Sequence, residues 1–177
     1  MTKKTSLRIT TYLLFGWILS VSAFAVTEAD IAVVDLLKAI QVSVEGKKMT
    51  DQLKNKENEI IKEITDIEKQ TQSLENRYNT QRLTLTQEAQ QQILSDIERL
   101  RTKRTRIEED GAKEFRNLQI RLFGKLRAEI MPIVSDVAEE KGFFLVLDLT
   151  SGGVLYFNQT IDITEEVIKR YDQIKSR

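Results

Sequence analysis

Residues 79–90 read NTQRLTLTQEAQ, and the fold turns on whether this stretch continues a helix or reverses it. Thr80, Thr84 and Thr86 interrupt a run of strong helix formers. Thr84 with Gln87 three residues later has the spacing of a capping box. Thr86, followed by Glu88, is a second possible N-cap with an acid in the first turn. The spacing predicts one helix ending near Arg82 and another starting at Thr84 or Thr86, with the tip of the reversal near residues 80–87. The competing reading is one unbroken helix in a parallel coiled coil. Reversal is preferred because it reunites two similar apolar runs, IAVVD at 31–35 and FLVLD at 144–148.

Outward from the tip, both sides carry helical periodicity. Lys47 to Asp110 contains no Gly or Pro. Leu53, Ile60, Ile67 and Leu74 recur every seven residues, with Ile64, Thr71 and Tyr78 in the companion row. This is a heptad seam, weak at Glu57 and Thr71. The other side runs through Ile93, Ile97, Leu100, Arg104 and Ile107. It then shifts by one residue to Phe115, Leu118, Leu122, Leu126, Ile130 and Ile133. An antiparallel coiled-coil hairpin over residues 45–141 follows, with arms of roughly 55 Å. Gly111 and Gly124 in the returning helix are either flexible points or places of close helix contact. Pro132 marks a kink or a fresh helix start.

A seam this narrow leaves side chains over. Ile61, Leu83, Leu85, Leu94 and Phe123 are candidate contacts for an apolar partner, against a plainer reading as helix–helix or tip packing. The run RLRTKRTR at 99–106 sets Arg99, Lys103 and Arg106 on one helix face. That face is either simply solvated or a contact for an anionic partner such as lipid headgroups or lipopolysaccharide.

The chain ends outside the arm form a small body, residues 26–44 and 142–177. Lys141-Gly142 is a helix stop. FFLVLDLT, then Ser151-Gly152-Gly153, then VLYF, predicts a β-hairpin. With IAVVD this makes three strands, carrying Ile31, Val33 and Val34; Leu145, Val146 and Leu147; Val154, Leu155 and Tyr156. Their apolar runs lack strict alternation, so both faces of the sheet are expected to be buried. Short helices at 36–40 and 165–174, the second capped by Asp162 or Thr164, cover one face. Nothing in the chain remains for the other, and a body this small is marginal alone. Self-association through the strands follows; its stoichiometry does not. The fold class is α+β.

Composition narrows the function. The chain has 177 residues with no His and no Cys. This excludes a Ser-His triad, a thiol nucleophile and a His- or Cys-based zinc site. Glu108-Glu109-Asp110 lies in a charged helical stretch and reads as a solvated face. No enzyme, metal or cofactor is expected. At the start, Lys3, Lys4 and Arg8 precede an apolar stretch from Ile9 to Val21, then Ala23-Phe24-Ala25, the layout of a secretory signal peptide over 1–25. Without its three cations, 24 Lys and Arg stand against 27 Asp and Glu, a net near −3. That balance argues against nucleic acid as a partner.

IAVVDLLKAI, EGKK, the charged helical middle, EKGFFLVLD, GGVLYF and DITEEVIKR follow in an order that resembles the Skp/OmpH-like periplasmic chaperones of Gram-negative bacteria. The resemblance implies a homotrimer in which strands of three chains form a β-barrel core and three helical hairpins hang from it. The cavity between the hairpins would hold unfolded outer-membrane proteins in transit, without ATP. The best-known members are strongly basic, and this chain departs from them in its net charge. The alternative is an oligomeric coiled-coil spacer or adaptor of the cell envelope, which would bind one folded partner instead.

Overall fold

The structure is a computed structural model that describes residues 31–151 and 153–176. The expected export signal at 1–25, and Gly152 of the expected turn, lie outside the described residues. The elements in chain order are β1 (Ile31–Val34), α1 (Leu36–Val42), α2 (Val44–Gln81), α3 (Gln87–Lys141), β2 (Leu145–Asp148) and α4 (Thr164–Lys175), with 3-10 turns at Leu149–Ser151 and Gln159–Ile161.

The chain does reverse at the tip. Thr86 caps α3, its hydroxyl accepting from the Ala89 N–H at 3.3 Å. The capping box expected at Thr84 and Gln87 does not form. The Thr84 hydroxyl turns back and donates to the Gln81 carbonyl at 2.9 Å, satisfying an acceptor left open where α2 ends. Gln90 closes the loop by donating to the carbonyls of Arg82 and Leu85.

Caps also set the other boundaries. The Asp35 carboxylate accepts from the Lys38 N–H at 2.8 Å and starts α1. Buried Ser43 makes the elbow between α1 and α2, donating to the Ile40 carbonyl and accepting from the Gly46 N–H. The cap position of α4 is Ile163, with no side-chain cap bond, instead of the expected Asp162 or Thr164; Asp162 accepts from the Thr164 N–H at 2.8 Å just ahead of the helix. The Thr164 hydroxyl in turn accepts from the Asp35 N–H, joining the starts of α1 and α4. Gly142 ends α3 at φ 76°, a conformation that favours glycine. No fresh helix starts at Pro132; α3 runs through it, with the proline on the exposed side.

IAVVD and FLVLD are neighbouring strands of one sheet. They pair in parallel, Ile31 beside Leu145 and Val34 beside Asp148. The other edge of β1 is taken by residues 162–163, where the Ile163 N–H donates to the Val33 carbonyl at 3.0 Å. The expected hairpin and third strand are absent among the described residues: the run around Val154, Leu155 and Tyr156 has no strand partner. The cause lies at Asp148. Its carboxylate accepts from the Thr150 N–H and hydroxyl and from the Ser151 hydroxyl. Local side-chain bonds of this kind compete with a hairpin ladder, and they wind the chain into a 3-10 turn.

One face of the sheet meets the core. Ala32 and Val34 pack with Leu36, Ala39 and Ile40 of α1, and with Ile163, Val167, Ile168 and Tyr171 around α4. The base of α3 supplies a third wall through Leu126, Ile130, Ile133, Val134 and Val137. On the opposite face Val33 is buried, but Leu145 and Leu147 of β2 are exposed. Burial of both faces therefore holds for β1 and not for β2 in the single chain.

Candidate functional site

α2 and α3 pack antiparallel and project from the body as one arm. At 1.5 Å per residue, α2 alone is roughly 57 Å long. Every residue of the two predicted seams except the weak position Glu57 is partly or fully covered, with Ile67, Ile93 and Ile97 buried in mid-arm. Gly111 belongs to the seam as well. It stands four residues from both Ile107 and Phe115, which explains the one-residue shift in the sequence pattern. A methyl group at Gly111 would meet Ile60 Cγ2 at 2.9 Å, so this glycine serves close helix contact, whereas Gly124 faces open space. Beside the close contact lies a shallow groove of about 400 Å³ lined by Ile60, Ile61, Ile64, Ala112 and Phe115.

Three ion pairs bridge the helices: Glu75 with Arg101, Glu68 with Arg104 and Glu114 with Lys56, each at 2.8 Å. Exposed pairs contribute little individually. They favour the register that the seam already sets.

The body presents its apolar surface on the β2 side. Phe144 is 88% exposed, Leu155 fully so, and Tyr156 88%, beside Leu145 and Leu147. Among the described residues the outer edge of β2 has no strand partner. Surface of this kind is uncommon on a stable monomer and invites pairing. A groove of about 370 Å³ runs between α3 and the sheet, lined by Val34, Leu36, Met131, Val134 and Val146.

α4 is fastened to the base of the arm by polar contacts. The buried Tyr171 hydroxyl donates to Glu129 at 2.5 Å, and Lys175 reaches the same carboxylate at 2.9 Å. Burial pushes the Glu129 carboxyl up, but hydrogen bonds from Tyr171 and Lys175 outweigh it and hold it below the usual glutamate range. The Tyr171 phenol is pushed well above its ordinary value, first by burial and then by the neighbouring Glu129 carboxylate. Arg170 bridges Glu140 and Glu166, and Lys141 also pairs with Glu166.

An antiparallel two-helix arm on a small body with an open strand edge is the geometry to be matched. The family model described as "Outer membrane protein (OmpH-like)" matches residues 30–171. The chain belongs to this OmpH-like family. Among solved structures, the OmpH-like chain is similar to a candidate outer membrane chaperone (OmpH-like) from Caulobacter crescentus CB15. The TM-score is 0.74 at 18% identity, over 81% of this chain and 84% of that one. At that identity the likeness is one of fold. No curated protein gives a match.

The OmpH-like chain distributes the sequence-selected residues unevenly. Ile61 and Leu94 are exposed on the arm, Leu83 is 92% exposed at the tip, and Leu85 is partly covered there. Phe123 is partly buried against the body core instead. Arg99, Lys103 and Arg106 point outward, Arg99 pairing with Asp96 at 2.9 Å, while Arg101 and Arg104 between them turn to the other helix. Sequence reasoning missed Ile120 (71% exposed), Met131 and Phe144. Ile120 could have been found as an isoleucine midway between the seam positions Leu118 and Leu122. Among the described residues no acidic or other cluster could hold a metal ion, and no helix is long and apolar enough to cross a membrane.

Proposed function

We propose that this OmpH-like chain is an exported periplasmic holdase. It works as a homotrimer that receives unfolded outer-membrane proteins between its arms and prevents their aggregation without ATP. The observation that carries this reading is the arm itself. A hairpin of this length covers only one stripe of each helix and leaves Ile61, Leu83, Leu94 and Ile120 outward at separate heights. Scattered apolar side chains on a long support give many weak contacts, which hold an unfolded chain without ordering it. No deep pocket for a single ligand is needed.

The trimer draws support from the body. Leu145 and Leu147, the open edge of β2, and the fully exposed Leu155 and Tyr156 lie on one stretch of sequence around the sheet. Equivalent surfaces of other copies would cover them, with residues 153–157 gaining the strand pairing they lack among the described residues. Arg99, Lys103 and Arg106 are offered outward and would add contact with anionic lipid or lipopolysaccharide.

The test is dilution of a urea-unfolded outer-membrane β-barrel protein into buffer, with and without the mature chain, beside a light-scattering mass. Suppression of turbidity at one trimer per unfolded chain is expected, with a mass of three copies. Unchanged turbidity, or a purely monomeric mass, would overturn the reading. Neutralising Arg99, Lys103 and Arg106 should lower binding to anionic vesicles and leave the mass unchanged.

A further inference from the structure

One side of the arm carries a pattern that runs from mid-arm to tip. Ile61, Glu68, Glu75 and Arg82 stand seven residues apart and so keep to one side of α2. Arg82 caps α2 in helical conformation and stays in that register. Glu68 and Glu75 are each bonded to an arginine of α3, Arg104 and Arg101. Leu94, seven residues before Arg101, is exposed on the same side. Three zones result. At the tip are Leu83, Leu94 and Arg82, all exposed. Two charge-balanced rungs follow. Below them lies the groove beside Gly111, lined by Ile60, Ile61, Ile64 and Phe115. Glu57 rims that groove on α2, and Arg116 stands on the α3 side. Among the described residues, no ion pair uses Glu57 or Arg82.

We propose that this side seats a second copy of the arm, laid antiparallel, with the tip of each arm in the groove of the other. α2 rises roughly 30 Å from Ile61 to its end at Gln81, so a tip cannot reach the groove of its own arm. Copies joined at their bodies by rotation about one axis point their arms the same way, with tips level. The occupant therefore comes from another assembly. An antiparallel pair has a two-fold axis midway between Ile61 and Arg82, which is also midway between Glu68 and Glu75. The contact that seats one tip thus seats the other. In the middle each acid is already neutralised within its own arm. At each end Leu83 meets Ile61 and Phe115, and Arg82 comes beside the unpaired Glu57. The other side of the arm, with Arg99, Lys103 and Arg106, would set like charges together. Each contact is small, and several arms per assembly add them. The pairing covers Ile61, Leu83 and Leu94, so it goes beyond the holdase reading and describes the assembly at rest, without an unfolded chain.

The chain has no cysteine, so introduced thiols report the contact in the mature chain in its native assembly. Leu83→Cys is mixed with Ile61→Cys and oxidised. Beside it, Leu83→Cys is mixed with Glu63→Cys, whose thiol lies at nearly the same height on the opposite side of α2. Disulfide-linked peptides are counted by mass spectrometry. The link between positions 83 and 61 should exceed that between 83 and 63 about tenfold, as thiols held together exceed thiols that collide. Glu57→Arg in both chains should cut the first link, and adding Arg82→Glu should restore it. Sedimentation of the wild type should show a species of twice the native mass that grows with concentration, and Leu83→Asp should remove it. Circular dichroism confirms that the variants, all at exposed positions, keep their helix content. Equal yields of the two links, no link between 83 and 61, a link indifferent to the charge at position 57, or one mass at every concentration would overturn the interlock. Suppression of aggregation by the wild type is read separately, so the interlock can fail while the holdase reading stands.

Discussion

Tyr171 joins the last helix to the arm through one hydroxyl on Glu129. Replacing it with Phe removes a hydrogen bond to a charged group and leaves a covered carboxylate short of a donor. A loss of about 1–2 kcal/mol is expected from urea unfolding. The pH dependence has a definite sign. Glu129 is held below its ordinary value, so its contribution is complete above roughly pH 4.3 and is lost as pH falls through the lower folded value. Tyr171 is held above its ordinary value, so its contribution is complete below roughly pH 10 and is lost as pH rises further. The urea midpoint should be flat between these limits and fall outside them. Tyr171→Phe should reduce both falls and erase neither, because hydrogen bonds from Arg170 and Lys141 also hold Glu140 and Glu166 low, and hydrogen bonds to Glu165 and Glu114 hold Lys38 and Lys56 high. A second sensitive point is Gly46. A methyl there would overlap the Ile40 carbonyl oxygen at the Ser43 elbow, and the obstacle is backbone. Gly46→Ala should destabilise by about 3 kcal/mol, at the upper end for overpacking, and more than Ser43→Ala, which removes the two hydrogen bonds of that hydroxyl without a backbone clash.

At the scale of elements, the two glycines of α3 separate cleanly. Gly124 faces open space, so Gly124→Ala should stabilise the arm by about 1 kcal/mol through helix propensity. Gly111 has the same propensity to gain, but its methyl would press on the β-branched Ile60 at 2.9 Å. Gly111→Ala should therefore gain nothing or destabilise, and adding Ile60→Ala should recover part of the difference; thermal unfolding of the two single variants and the pair checks this. The seams of this arm were legible in the sequence because covered positions recur with helical spacing, and that spacing survives the step at Gly111. What the pattern could not give was the role of Gly111 itself, since a missing side chain carries no hydrophobic signal. The choice of Thr86 over Thr84 depended on a hydroxyl turning backward, which spacing does not encode. The pairing of IAVVD with FLVLD was legible from their shared apolar character. The expected third strand failed because Asp148 satisfies its neighbours locally, and because the apolar run at 154–157 carries a preference for pairing without naming a partner in its own chain. Of the two readings of Phe123, partner contact or packing, its place favours packing, because the base of α3 belongs to the core, and sequence alone places no boundary between arm and body there.

The molecule as a whole sets a covered core against an uncovered strand surface a few residues away. If that surface is the assembly face, charge placed on it should separate the copies and spare each chain's fold. Leu155→Glu with Tyr156→Glu touches no buried side chain. Sedimentation should therefore show loss of the proposed trimer, with helix content by circular dichroism retained apart from a concentration-dependent fall in stability. A variant that stays trimeric would move the assembly face elsewhere.

The parallel pairing of Ile31 with Leu145 has a consequence for how the chain is made. β1 is synthesised before the arm and waits for nearly the whole of it before its partner arrives. Closing so long a loop from an open chain is slow, since the entropy of closure must be met before the strands reward it. An arm that zips from the Thr86 tip toward its base shortens that gap, pair by pair, until the two strands lie side by side. The coiled coil is thus also a folding guide. Until it is complete, the unpaired apolar IAVVD is itself the kind of segment that needs shelter.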